Sequence, residues 1–286
     1  MRAPDLLPRA PEPCPASPPP VWPAFAALAA VLALGILLAM VGLYIVATLR
    51  EGPRSFGSED AMLRASATFY GVLAAALGFA AAEGVVVLCA LLGVPNARGR
   101  IRIGPAPASR GALAVMIGCM ILLSYILDGL IQLVGLGDYG ALGALKDIFG
   151  QAGPAELVLG AIVVGAGAGT IEEIFFRGYV QTALARRWGA GLGIVLTALF
   201  FGLAHLDAVQ GPLAVFLGLY LGAITEWSGS IRPAIACHVA NNVFGAIAPA
   251  LSLRSPGPSA SAISIAAAAA LLALGVRWIH RRLSVQ

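Results

Sequence analysis

The sequence predicts an all-α, polytopic membrane protein of about eight transmembrane helices. Three observations carry this. First, of 286 residues 59% are hydrophobic and only 11% are charged, with a mean hydropathy of +0.88. A soluble domain carries roughly a quarter charged residues. A chain with less than half of that cannot cover a globule with polar surface, which argues against a soluble enzyme, a disordered protein and a nucleic-acid binder. Second, apolar runs recur at the length of a bilayer-crossing helix, about 20 residues. Third, the basic residues divide unequally between the two faces that those runs define.

The runs are 21–49, 67–94, 111–136, 156–181, 190–209, 211–228, 232–251 and 260–279. Polar breaks at Glu51–Arg64, Pro95–Arg110 and Gly137–Pro154 separate the first four. The separators His205–Pro212 and Glu226–Pro233 are weaker. The chain then divides into a proline-rich arm over 1–20, three spans with their loops over 21–155, a polar-centred membrane core over 156–251, and a last span with a basic tail over 252–286. The first run is longer than a signal-peptide core and has no convincing cleavage site, so it reads as a retained span. Twelve of the 18 Lys and Arg residues fall on the side of both termini, five fall on the other, and Arg177 lies within a span. The positive-inside rule puts both termini in the cytoplasm. The four cysteines form no C-x-x-C pair, so a zinc ribbon and a redox motif are both absent.

An ionisable side chain inside a span is costly and marks a functional candidate. The fourth run contains Thr170-Ile-Glu172-Glu173-Ile-Phe-Phe-Arg177. Glu173 and Arg177 are four apart and share a helix face, as an ion pair requires. Glu172 points about 100° away and is free for another partner. The fifth run contains Phe201-Gly-Leu-Ala-His205, with Phe201 one turn before the imidazole. The seventh contains His238-Val-Ala-Asn241-Asn242, with His238 and Asn242 on one face.

Two adjacent carboxylates, a guanidinium, two imidazoles and an amide on three spans are the parts of a hydrolytic centre. Glu172 or Glu173 can take a proton from water, and His and Asn can donate to the oxyanion of a tetrahedral intermediate. Carboxylate and imidazole also suit a divalent metal such as zinc, with Glu172, His205 and His238 as candidate ligands. H-E-x-x-H, G-x-S-x-G and G-x-x-x-x-G-K are all absent. A proton-relaying transporter would spread its polar residues through both halves, and here they concentrate in one. Gly165, Gly167 and Gly169 either tighten helix packing or leave room beside the buried site. The acids Glu83, Asp128 and Glu226 lie in or near spans; Glu83 and Asp128 are expected to be paired internally. His280 and the arginines of 98–110 are expected to face solvent or headgroups.

These motifs resemble those of the CaaX prenyl protease type-2 family, also called the CPBP or Abi family of intramembrane metalloproteases. Its E-E-x-x-x-R, F-x-x-x-H and H-x-x-x-N motifs occur here in order over 156 to about 250. The resemblance implies an eight-span peptidase with a water-filled cavity in the membrane. Eukaryotic relatives remove the last three residues after a prenylated cysteine. It further implies that Glu172 activates water with help from His205, that His238 and Asn242 stabilise the oxyanion, and that Glu173 and Arg177 hold the geometry. Both metal-dependent and metal-free mechanisms are compatible with the motifs. The implied partners are the lipid bilayer and a membrane-associated peptide or protein. Ala, Gly and Arg usage points to a bacterial inner membrane, where a prenylated substrate is not assured. A non-catalytic scaffold or bacteriocin-immunity protein of the same family is the alternative.

One depth mismatch follows. His238 lies about 10 Å, and His205 about 22 Å, from the cytoplasmic start of its own run. Their meeting requires a tilted helix or a Trp188–Gly193 turn submerged in the membrane.

Overall fold

Long apolar segments satisfy their backbone groups internally, and in lipid that leaves the helix as their natural state. A computed structural model of the chain describes residues 20–55, 57–93, 96–251 and 258–283, with 258–261 as backbone only. Residues 1–19 of the proline-rich arm, with Arg2, Arg9 and Cys14, lie outside the described residues, as does Arg254. Among the described residues there is no strand.

Helix α1 (Trp22–Glu51) has a proline in its first turn, and α3 (Phe69–Leu91) packs along it. Between them sits the short α2 (Glu59–Ser66), capped by the Ser58 hydroxyl, which accepts from Ala61 N. Its Arg64 pairs with Glu51 at the exposed end of α1. A one-turn helix α4 (Ala97–Arg100) leads to α5 (Arg110–Leu133), capped by Ser109, and then to α6 (Gly140–Gly150).

The central element is α7, continuous over Pro154–Trp188. It runs seven residues past its expected end at 181. Within it, Ala161–Ala168 and Ile174–Gln181 are wound as π-helix, on either side of the α-helical stretch Gly169–Glu173. Gly189, at φ +86°, ends it and starts α8 (Ala190–Ala204). Helices α9 (Gln210–Ser228), α10 (Arg232–Ile247) and α11 (Pro258–Leu283) complete the chain.

Among the described residues, five helices are long and apolar enough to cross a membrane: α1, α3, α5, α7 and the Ala262–Leu283 part of α11. Each of the other three expected spans also holds a helix, but not one that meets this description. α8 has 15 residues and α10 has 16, about 22–24 Å of helix against a hydrocarbon core of about 30 Å. α9 has 19 residues and carries Gln210 and Glu226. All three gather around α7.

Two apolar clusters flank the centre. One joins Phe175, Phe176, Val180 and Leu184 of α7 to α1, α3, α8 and α9. The other joins Met116 and Met120 of α5 to Leu221 and Ile224 of α9, Cys237 of α10 and Ile279 of α11. The polar residues of α7 and α10 sit where these clusters meet.

The depth mismatch is resolved by staggered helix ends. A Cβ at Gly178 would lie 3.1 Å from the Ile101 carbonyl oxygen and 3.5 Å from Ile231 Cδ1. The start of α10 therefore lies beside residue 178, ten residues short of the end of α7, or about 15 Å. With that offset, six residues of α10 carry His238 to the level of Glu173. The Trp188–Gly193 turn lies about 15 Å beyond the start of α10 along α7, so the stagger of the helix ends, not a submerged turn, brings the two histidines level.

Candidate active site

The site begins with the two adjacent glutamates of α7. Glu173 and Arg177 are both fully buried, and Arg177 Nη1 donates to Glu173 Oε1 at 2.8 Å. Arg177 Nη2 donates to the Gly218 carbonyl at 3.3 Å, and its guanidinium carbon lies 4.4 Å from the Phe201 ring centroid. The buried cation is thus held by a carboxylate, a carbonyl and an aromatic face, which offset its desolvation.

His238 comes in from α10 and lies between the two glutamates. Its Nδ1 is 2.8 Å from Glu173 Oε1, and its Nε2 is 3.6 Å from Glu172 Oε2. Glu173 and His238 are buried, whereas the Glu172 side chain keeps 24% exposure. The carboxylate can only accept, so Nδ1 donates to Glu173 and Nε2 is turned to Glu172 and the wetter side of the site. Small residues make this approach possible. A Cβ at Gly169 would lie 3.7 Å from His238 Cδ2 and 3.5 Å from Asn242 Nδ2, and one at Gly165 would lie 2.6 Å from Val243 Cγ2. Of the two roles expected of these glycines, the contact at Gly165 is that of tight packing, which admits α10 closely.

His205 caps the C-terminus of α8. Its Nδ1 donates to the Phe201 carbonyl at 2.8 Å, since a carbonyl only accepts, and its Nε2 lone pair is left available. The Phe201 ring stands edge-on to both imidazoles, 4.9 Å from His205 and 5.7 Å from His238. Phe201 thus packs against both histidines. Asn242 donates weakly to the Val164 carbonyl and accepts weakly from Asn241 Nδ2, both at 3.4 Å. Asn241 also accepts from the Ser124 hydroxyl of α5.

Among the described residues, no group of three or more His, Cys, Asp or Glu side chains is arranged to hold a metal ion. Glu172 and His238 approach one another, but His205 does not join them as a third donor. The candidate set Glu172, His205 and His238 does not, as placed, fit a metal site.

Several residues outside the motifs take part in the same framework. Gln181, one turn after Arg177, donates to the Gly222 carbonyl at 3.0 Å and to Glu226 Oε1 at 2.9 Å. Glu226 also pairs with Arg102 at 2.7 Å. Arg102 is therefore not the headgroup-facing residue expected of the 98–110 loop, while Arg98, Arg100 and Arg110 are exposed. Arg102 and Glu226 are 124 positions apart, and no local pattern links them. Gln181 did have a signal, because 173, 177 and 181 form one helical stripe. Asp128 pairs with Lys146 at 2.6 Å. His280 is exposed and stacks on Trp227 at 5.2 Å. Glu83 is buried, and its Oε2 has no hydrogen-bond partner. Asp207, two residues after His205, accepts from Ala141 N at 2.8 Å, Val209 N at 2.9 Å and Gln210 N at 2.7 Å, tying the His205 loop to α6.

No curated protein and no solved structure matches the chain. Over residues 154–244, which hold Glu172, Glu173, Arg177, His205, His238 and Asn242, the chain matches the family model described as Type II CAAX prenyl endopeptidase Rce1-like.

Proposed function

We infer that this protein is an intramembrane endopeptidase that hydrolyses a peptide bond in a membrane-associated substrate. The observation that carries the reading is His238 set between adjacent glutamates, 2.8 Å from the buried Glu173 and 3.6 Å from the partly exposed Glu172. A structural ion pair needs Glu173 and Arg177 only. It gives no reason for a second carboxylate and an oriented imidazole at the same spot.

In this reading Glu172 takes a proton from water as its oxygen adds to the scissile carbonyl carbon. The oxyanion accepts from Asn242 Nδ2–H and from the Nε2–H of His238 as the imidazolium, whose Nδ1–H Glu173 holds in place. The carbon–nitrogen bond then breaks, and the protonated Glu172 returns its proton to the leaving amine. His205, with its Nε2 lone pair available, assists Glu172 in activating the water. The family description supports a peptide substrate with a lipid-anchored C-terminus, and a prenylated CaaX sequence is the first to try. The proposed setting is a bacterial inner membrane, with eight helices crossing or partly crossing it and both termini cytoplasmic.

The test is cleavage of a lipid-anchored peptide by the purified protein in detergent or liposomes. Wild type cuts, and Glu172→Ala, folded by its thermal transition, loses at least about a thousandfold in rate. Equal cutting by both removes Glu172 as the base. Activity that a chelator abolishes and zinc restores assigns a metal. Activity indifferent to the chelator assigns a metal-free glutamate mechanism.

A further inference from the structure

Glu83 belongs to α3, outside the segment 154–244 that matches the family model. It is 3% exposed, and α3 packs against all three stretches of α7 that surround the site, Ala161–Ala168, Gly169–Glu173 and Ile174–Gln181. It is the only charged residue on α3. Its electrostatic neighbours are Glu172, Glu173 and Arg177.

Three buried atoms of this cluster lack a hydrogen-bond partner: Glu83 Oε2, Glu173 Oε2 and Arg177 Nε. Two are acceptors and one is a donor. Arg177 already uses Nη1 on Glu173 and Nη2 on the Gly218 carbonyl, so the Nε–H is its unspent edge. Buried polar atoms are almost always hydrogen-bonded, and polar groups slightly too far apart are commonly joined by one water.

We propose that Glu83 is a positioning residue of this centre: its Oε2 accepts from the Arg177 Nε–H across one bridging water and braces the guanidinium that holds Glu173 on His238. The chain Glu83–Arg177–Glu173–His238 then ends with His238 Nε2 turned to Glu172. A carboxyl at 83 thus acts on the reacting edge without touching it. The bridge is argued from the unpartnered buried atoms and the packing of α3 on α7, whereas its catalytic consequence rests on the peptidase reading.

The experiment is nitrogen-15 NMR of arginine-labelled full-length protein in nanodiscs, run beside kinetics on a lipid-anchored peptide. The Arg177 Nε–H signal is assigned by its loss in Arg177→Lys. In Glu83→Leu that signal is expected to shift and to exchange faster with solvent. kcat is expected to fall about 10- to 100-fold through misplacement of the site, with KM within about twofold. Glu83→Gln keeps an acceptor, so it retains the signal and stays within about fivefold of wild-type kcat. If Glu83→Leu does not fold, Glu83→Asp, one methylene shorter, is expected to move the signal in the same sense. An unmoved Arg177 signal in the folded variant overturns the proposal, as does an unchanged kcat in a variant whose signal has moved. If wild type cuts nothing, the peptidase reading fails while the NMR signal still decides the contact.

Discussion

Arg177 is the residue on which the site's interior depends. It is fully buried, and its charge is balanced by Glu173 at 2.8 Å. Removing one partner of a buried pair leaves the other charge uncompensated. Arg177→Met should therefore cost about 3–5 kcal/mol of stability, read as a lower thermal midpoint in detergent. The double variant Arg177→Met/Glu173→Gln should recover part of that loss, and an unrecovered midpoint would show that packing, not charge, sets the cost. Asp207 acts at a smaller scale. Its carboxylate accepts from Ala141 N at 2.8 Å, Val209 N at 2.9 Å and Gln210 N at 2.7 Å, and so closes the turn after α8 and ties it to α6. Asp207→Ala leaves three N–H groups without this acceptor and should cost about 1–3 kcal/mol of stability, read as a lower thermal midpoint. An unchanged midpoint would contradict the assignment.

Helix α7 does at the level of an element what no single residue does. Its 35 residues are interrupted by two π-helical stretches, and the short α-helical segment between them carries both glutamates. Such π segments recur at functional sites because they re-aim side chains within a continuous helix. The other helices depend on close approach. A Cβ at Gly78 of α3 would lie 2.6 Å from Ala39 N and 2.9 Å from Ala39 Cα. Gly78→Leu should therefore force α1 off α3 and lower stability by about 1–3 kcal/mol or more. Gly118→Ala, whose Cβ meets nothing within 4 Å, should leave the thermal midpoint unchanged. Equal effects at the two positions would mean that helix contact is not what Gly78 provides.

For the whole molecule, the proposed topology makes an accessibility prediction. Single cysteines at Ser58 and at Gly99, introduced into a chain with its native cysteines replaced, should react with an impermeant maleimide from opposite sides of the membrane. Gly99 should be cytoplasmic, on the side of the basic loop. Labelling from the same side would break the alternation between α1, α3 and α5. The short helices α8 and α10 fit the same picture. A span shorter than the hydrocarbon thickness is tolerated where it is sheltered by protein or lines a cavity, and both lie against α7.

Composition and the length of the apolar runs were sufficient to determine an all-helical membrane chain, because lipid leaves a backbone few other ways to satisfy itself. Helical spacing was likewise enough for the Glu173–Arg177 pair, since four residues make about one turn. Distant partners were beyond the reach of sequence. Only the tertiary structure set His238 between two glutamates, staggered α10 against α7, paired Arg102 with Glu226 and brought Glu83 of α3 to the centre. The physical reason is that side chains far apart in sequence meet through helix offset, rotation and the close approach allowed by glycine, and none of these has a local periodicity to betray it.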